Sequence, residues 1–132
     1  MTKGAKMAVI KKKIEPAFED ERGTIFDLVD KEKILHIGLI ISKKDSIRGK
    51  HYHKQAKQIT YVLSGKIMLT TKDVGQKNSD YQTIIMEAGD IATIPPMVVH
   101  SIKALEDTTF LVFTDKPRSG GGYENDTHRI EL

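Results

Sequence analysis

Apolar positions along the chain fall in short runs separated by polar breaks, and no stretch sustains the 3.6-residue period of a long amphipathic helix. The runs KILHIGLIIS (33–42), KQITYVL (57–63), KIMLTTK (66–72), YQTIIME (81–87), IATIP (91–95), VVHSIKAL (98–105) and TTFLVFTD (108–115) are rich in Ile, Val, Thr, Tyr and Phe and read as strands. Ser64-Gly65 between two such runs predicts a tight hairpin, because Gly accepts positive φ. VGQKNSD (74–80) reads as a polar loop. Pro95-Pro96 interrupts pairing, since neither residue has an N–H to donate. KPRSGGGYEND (116–126) reads as a mobile tail or a flap, and THRIEL as a last edge strand. Many short strands at close spacing predict an all-β sandwich or barrel.

Runs such as GLII (38–41) and FLVF (110–113) are apolar at nearly every position. A strand with one buried face should alternate, so these predict burial on both faces. One face would meet the barrel interior and the other a second subunit, which predicts a homodimer.

The 132 residues suggest one domain, 1–132, with a core of about 14–115. That length can build a core without disulfide or metal staples. There is no cysteine, which excludes a disulfide framework and a thiolate site and is compatible with a reducing compartment. The N-terminal MTKGAKMAVIKKK has no apolar run long enough for a signal peptide or membrane span, so the expectation is a cytoplasmic protein with no membrane partner. The formal charge is +3, with much of the excess in Lys3, Lys6, Lys11, Lys12 and Lys13. That run reads as a solvated face. No aromatic residues interleave with it, so no nucleic-acid partner is expected.

Two of the five histidines, His51 and His53, stand one residue apart. On a strand they point to one face, with Tyr52 on the other. Tyr61 joins that face only if no bulge intervenes. Gly49 precedes the pair, Gln58 lies five residues beyond it, and Gly65 closes the next hairpin. Downstream, Gly89, Pro95 and His100 follow at spacings of six and five.

The segment GKHYHKQAKQITYVLSG resembles the first cupin motif, and GDIATIPPMVVH resembles the second, with Met97 in place of its second glycine and Ala104 in place of its terminal asparagine. The resemblance implies a single-domain cupin, a double-stranded β-helix or jelly-roll barrel. It also implies a ligand set of His51, His53, Gln58 and His100 for one divalent transition metal (Zn, Fe, Ni or Mn), with no organic cofactor. Neutral imidazoles suit such ions, but an amide at Gln58 offsets none of the metal's charge, so a metal-free site is an equal expectation.

DERG (20–23) and RGKHYHKQAKQ (48–58) look like segments of the cupins acting on nucleotide sugars, nearest to the dTDP-sugar 3,4-ketoisomerases and dTDP-4-dehydrorhamnose 3,5-epimerases. The resemblance implies isomerisation or epimerisation of a nucleotide-linked 4-keto-6-deoxysugar, the substrate being a dTDP- or UDP-sugar. His51 would be the base, His53 its partner and Arg48 a phosphate contact. Arg22 would be a second phosphate contact or pair with a carboxylate. Lys54 is a rim candidate, and Tyr61 a candidate donor to the enolate. Histidine titrates near neutrality, as a base beside a carbonyl requires. The ketoisomerases carry a tyrosine where this chain reads HIGLI (36–40); here Gly38 leaves space, and His36 stands beside it. Two other functions remain open: a metal cupin with oxygenase or small-acid isomerase chemistry, and a non-catalytic sugar or metabolite binder.

Overall fold

The computed structural model describes residues 9–75, 78–118 and 125–130. Among them the chain forms twelve strands. They are β1 (Lys11–Lys13), β2 (Phe18–Asp20), β3 (Gly23–Ile25), β4 (His36–Ser42), β5 (Ile47–His53), β6 (Gln58–Ser64), β7 (Lys66–Asp73), β8 (Gln82–Glu87), β9 (Asp90–Ile94), β10 (Val98–Ala104), β11 (Thr108–Thr114) and β12 (Thr127–Arg129). One five-stranded sheet runs β1-β9-β6-β11-β4, a second runs β12-β5-β10-β7-β8, and β2 pairs only with β3. All pairings are antiparallel. The sheets face each other across Val62, Ile94 and Phe110 from the first and Ile67, Leu69, Met86 and Val98 from the second. This is the expected jelly-roll barrel. No helix among the described residues is long and apolar enough to cross a membrane.

Each predicted strand forms within a few residues of its expected bounds. The additions lie in polar sequence. Lys11–Lys13, expected as a solvated face, is an edge strand on β9. Lys11 and Lys13 both bridge the carboxylate of Asp90, whose side chain is only 3% exposed. Those ammoniums and the Glu87 N–H hold Asp90 below the usual carboxylate range, against the opposing effect of burial. Most of the glycine-rich tail (119–124) and Lys3 and Lys6 lie outside the described residues.

The doubly apolar runs have two explanations. On the outer face of the first sheet, Phe113, Leu111, Ile59 and Ile91 are covered by Leu28, Val29 and Ile34 of the same chain. An ion pair between Lys57 and Glu32 fastens that covering segment. On β4 the outer residues Ile37, Leu39 and Ile41 are 60–69% exposed. β4 pairs with β11 on one side and is a sheet edge on the other, so among the described residues this stripe has no side-chain cover and its outer edge has no strand neighbour.

The register of β5 on β10 contains an irregularity that positions the site. His51 pairs with His100, but Gly49 pairs with Ser101 and Arg48 with Ile102. One extra residue therefore sits in β5, and both Gly49 (φ 97°) and Lys50 (φ 62°) take positive φ. A Cβ at Gly49 would lie 2.7 Å from the carbonyl oxygen of His100, so only glycine fits. Gly49→Ala is expected to lower stability by about 2 kcal/mol or more through this backbone clash, read as a reduced denaturant midpoint at constant m-value. An unchanged midpoint would contradict the bulge.

Candidate functional site

The site begins with strand alternation. From β6, Gln58, Thr60 and Val62 face inward and are buried, while Ile59 and Tyr61 face outward. From β10, His100 and Ile102 face inward, and from β11, Phe110, Val112 and Thr114. On β5 the bulge changes the count. Arg48 and His51 lie three apart, which on a regular strand would set them on opposite faces. With one residue bulged out, both line the same cavity.

That cavity is about 480 Å³ and opens to solvent. Its polar wall carries His36, His51, Gln58 and His100, with Arg48 and Arg118 contributing cationic groups. The rest of the wall is largely apolar, including Ile40 and Ile102. Such a shape suits a small molecule with one anionic end and one end needing acid–base groups.

The three expected imidazoles converge. Ring centroids are 4.9 Å apart for His51–His53, 4.7 Å for His51–His100 and 5.4 Å for His53–His100. One nitrogen of each lies within 4.8 Å of the others. His100 Nδ1 is 3.1 Å from the Val98 carbonyl oxygen, and His53 Nδ1 is 3.2 Å from that of Asp126. A carbonyl only accepts, so each Nδ1 carries the proton and donates, and each neutral ring presents Nε2 as an acceptor. His100 Nε2 is buried with no hydrogen-bond partner among the described residues. Gln58 Nε2 donates to Thr60 Oγ1 at 3.3 Å, which leaves its carbonyl oxygen as an acceptor.

Burial is the largest influence on both inner histidines. It pushes His100 down to about 3, and the neighbouring His51 and His53 act in the same direction against the Val98 carbonyl. His53 is also lowered by burial, partly opposed by Asp126.

Arg48 is held in place by a residue of the opposite sheet. Its Nε donates to Ser42 Oγ at 2.8 Å, so the guanidinium is directed before any ligand arrives. His36, on β4, lines the same cavity, and its ring lies over Gly38: a Cβ there would stand 3.4 Å from His36 Cε1. His36 Nδ1 is buried without a hydrogen-bond partner among the described residues.

Three candidates from the sequence are placed elsewhere on this chain. Tyr61 lies on the outer face, packed on the cluster of Ile59, Ile91 and Phe113, because β6 keeps regular alternation from Gln58. Arg22 sits in the β2–β3 hairpin, 80% exposed, and binds Asp20 through Nε at 3.0 Å and Nη2 at 2.7 Å. Lys54 is exposed in the turn after β5, with its backbone N–H on Asp126. His128, on β12, stacks on Tyr52 at 5.2 Å. Arg118 and Asp126 were missed, since both fall in sequence that reads as a tail.

The depressed histidines predict an acid limit on stability. His100 stays neutral in the fold down to about pH 3, whereas the unfolded chain protonates it near 6.5. The unfolded state therefore binds the extra proton between those values, and metal-free protein loses stability as pH falls from 6.5 towards 3. The slope is up to about 1.4 kcal/mol per pH unit from this group. His100→Asn should flatten the dependence of the urea midpoint on pH in that window; an equal slope in both proteins would contradict it.

Residues 18–117 match the family model described as the polysaccharide biosynthesis C-terminal domain. No curated protein matches the sequence significantly. Solved structures share the fold at low identity. A dTDP-4-dehydrorhamnose 3,5-epimerase from Sulfolobus tokodaii aligns with TM-score 0.79 and 21% identity, covering 98% of this chain and 81% of that one. A 3,4-ketoisomerase from Helicobacter canadensis aligns with TM-score 0.77 and 20% identity, covering 95% and 92%. A sugar 3,4-ketoisomerase from Thermoanaerobacterium thermosaccharolyticum, solved in complex with TDP, aligns with TM-score 0.74 and 21% identity, covering 92% and 88%. With 100 of its 132 residues inside the family model and a cupin barrel around the histidine cluster, this chain belongs to the polysaccharide biosynthesis C-terminal domain family.

Proposed function

We propose that the protein isomerises or epimerises a nucleotide-linked 4-keto-6-deoxysugar by removing a proton from carbon next to the ketone. The carrying observation is a single cavity with His51, His36 and neutral His100 on its wall together with Arg48 and Arg118. The structural neighbours include enzymes of this class, one of them holding TDP, which supports the assignment.

The chemistry follows from the tautomers. His51 takes the proton, the C–H electron pair moves into the carbon skeleton, and negative charge develops on the carbonyl oxygen. That oxygen needs a donor. Neutral His100 offers only an acceptor at Nε2, and Tyr61 faces away. His36, in the space that Gly38 leaves, is the remaining imidazole on the wall and takes the donor role. Arg48 binds the diphosphate through its planar fork, with Arg118 beside the same opening. The substrate is a dTDP- or UDP-sugar, and the cytoplasm is the assigned location.

Incubation in D₂O with a panel of dTDP- and UDP-linked 4-keto-6-deoxysugars is the test. Deuterium should enter next to the ketone, and His51→Asn should slow its entry about 10²–10⁴-fold. No exchange with any member would remove this reading.

A second reading is favoured by the close ligand nitrogens of His51, His53 and His100. Both inner rings are held as neutral Nε2 ligands, and Gln58 has its amide oxygen to offer. Metal–nitrogen bonds of about 2.0–2.1 Å would require the nitrogens to close to roughly 3.4 Å, a modest contraction. These residues would hold a divalent Zn, Fe, Ni or Mn ion, which supplies Lewis-acid polarisation of the carbonyl. Stoichiometric metal by elemental analysis, with exchange lost on chelation and restored on reloading, would support this form of the site. Full exchange by metal-free protein would establish the imidazole-only form.

We also infer a homodimer. The exposed stripe Ile37, Leu39 and Ile41 lies on an edge strand, and Phe18, Ile25 and Phe26 in the β2–β3 region are also exposed; apolar exposure of this kind suits contact with a second copy. Light scattering should give twice the chain mass, and Leu39→Lys should shift it to monomer; a strict wild-type monomer would contradict the inference.

A further inference from the structure

Asp126 stands outside both cupin-like motifs, in sequence that reads as a tail, yet it makes a concentrated set of contacts beside the site. Its carboxylate accepts the backbone N–H groups of three consecutive residues after β5. Oδ1 takes Lys54 at 2.9 Å and Gln55 at 3.1 Å, and Oδ2 takes Ala56 at 3.0 Å. Its own backbone carbonyl lies 3.2 Å from His53 Nδ1. The following strand β12 then pairs along β5, with Thr127 opposite His53 and Arg129 opposite His51.

We propose that Asp126 is a positioning residue that fixes the tautomer and ring orientation of His53. The carboxylate fastens the chain at the turn that follows β5. That in turn holds the Asp126 carbonyl against one imidazole nitrogen. A neutral ring that donates from Nδ1 presents an acceptor at Nε2, on the side of its neighbours His51 and His100. His100 obeys the same rule through Val98, but from within its own strand. For His53 the controlling oxygen comes from 73 residues away, so the C-terminal segment is part of the site's acid–base architecture. The role is independent of whether the cluster meets a sugar hydroxyl or a metal ion, since either needs an acceptor at Nε2.

The test uses the full chain uniformly labelled with ¹⁵N, freed of metal, above about pH 8, where imidazoles are neutral. Wild-type His53 should show the single Nδ1–H tautomer. Asp126→Ala, which removes the anchor and keeps the carbonyl, should give mixed tautomers at His53 with β7 and β8 amide signals unmoved. Should that variant unfold, Asp126→Asn keeps one oxygen for Lys54 and Gln55 and should show the same mixing in smaller degree. An Nε2–H tautomer in the wild type, or an unaltered His53 in the folded variants, would overturn the proposal. The kinetic arm rests on the isomerase reading: solvent exchange should fall about tenfold in kcat with KM unchanged. An unchanged rate in a protein that does exchange would reduce Asp126 to a structural role. Absence of exchange in the wild type would sink the isomerase reading and leave the tautomer result standing.

Discussion

One extra residue in β5 holds the site together. Because Gly49 and Lys50 bulge against His100 and Ser101, Arg48 and His51 turn to the same cavity although they stand three apart. The same bulge brings Gly49 so close to the His100 carbonyl that no side chain fits there. A guanidinium and an imidazole are thus fixed on one strand, facing one cavity, at a spacing that regular alternation forbids. The barrel supplies the rest: β10 sets His100 directly opposite His51, and β6 brings Gln58 into the same interior.

Around that point the electrostatics are arranged by backbone carbonyls. Val98 and Asp126 each occupy Nδ1 of a buried imidazole, so His100 and His53 share one tautomer, and burial keeps His100 neutral far below ordinary histidine pH. Neutral rings at His53 and His100 can accept hydrogen bonds or ligate a cation, and they do not repel each other as charged rings would. Arg48 and Arg118 line the same cavity, and Arg48 is already oriented by Ser42.

The strands and the meeting of His51, His53, Gln58 and His100 were legible because period-two apolar runs and motif spacing survive in a single sequence. What escaped depended on context. Alternation alone cannot place Tyr61, since its direction turns on whether β6 carries a bulge. Lys11–Lys13 is a polar run whose strand character comes from pairing with β9 and from the buried carboxylate of Asp90. FLVF is apolar throughout because Leu28, Val29 and Ile34 of the same chain cover its outer face, whereas GLII keeps its outer face open. Asp126 and Arg118 lie in sequence with tail-like composition, where no local signal marks a side chain that reaches back to the barrel.

The account stands on the joint use of Arg48 and the imidazole cluster by one ligand. A crystal structure with a TDP-linked sugar tests that most directly. The account predicts the diphosphate within hydrogen-bonding distance of the Arg48 guanidinium and the sugar ring directed at His51 and His100. A nucleotide sugar bound outside this cavity, or seated in it with its phosphates at the imidazoles and its sugar turned to solvent, would contradict it.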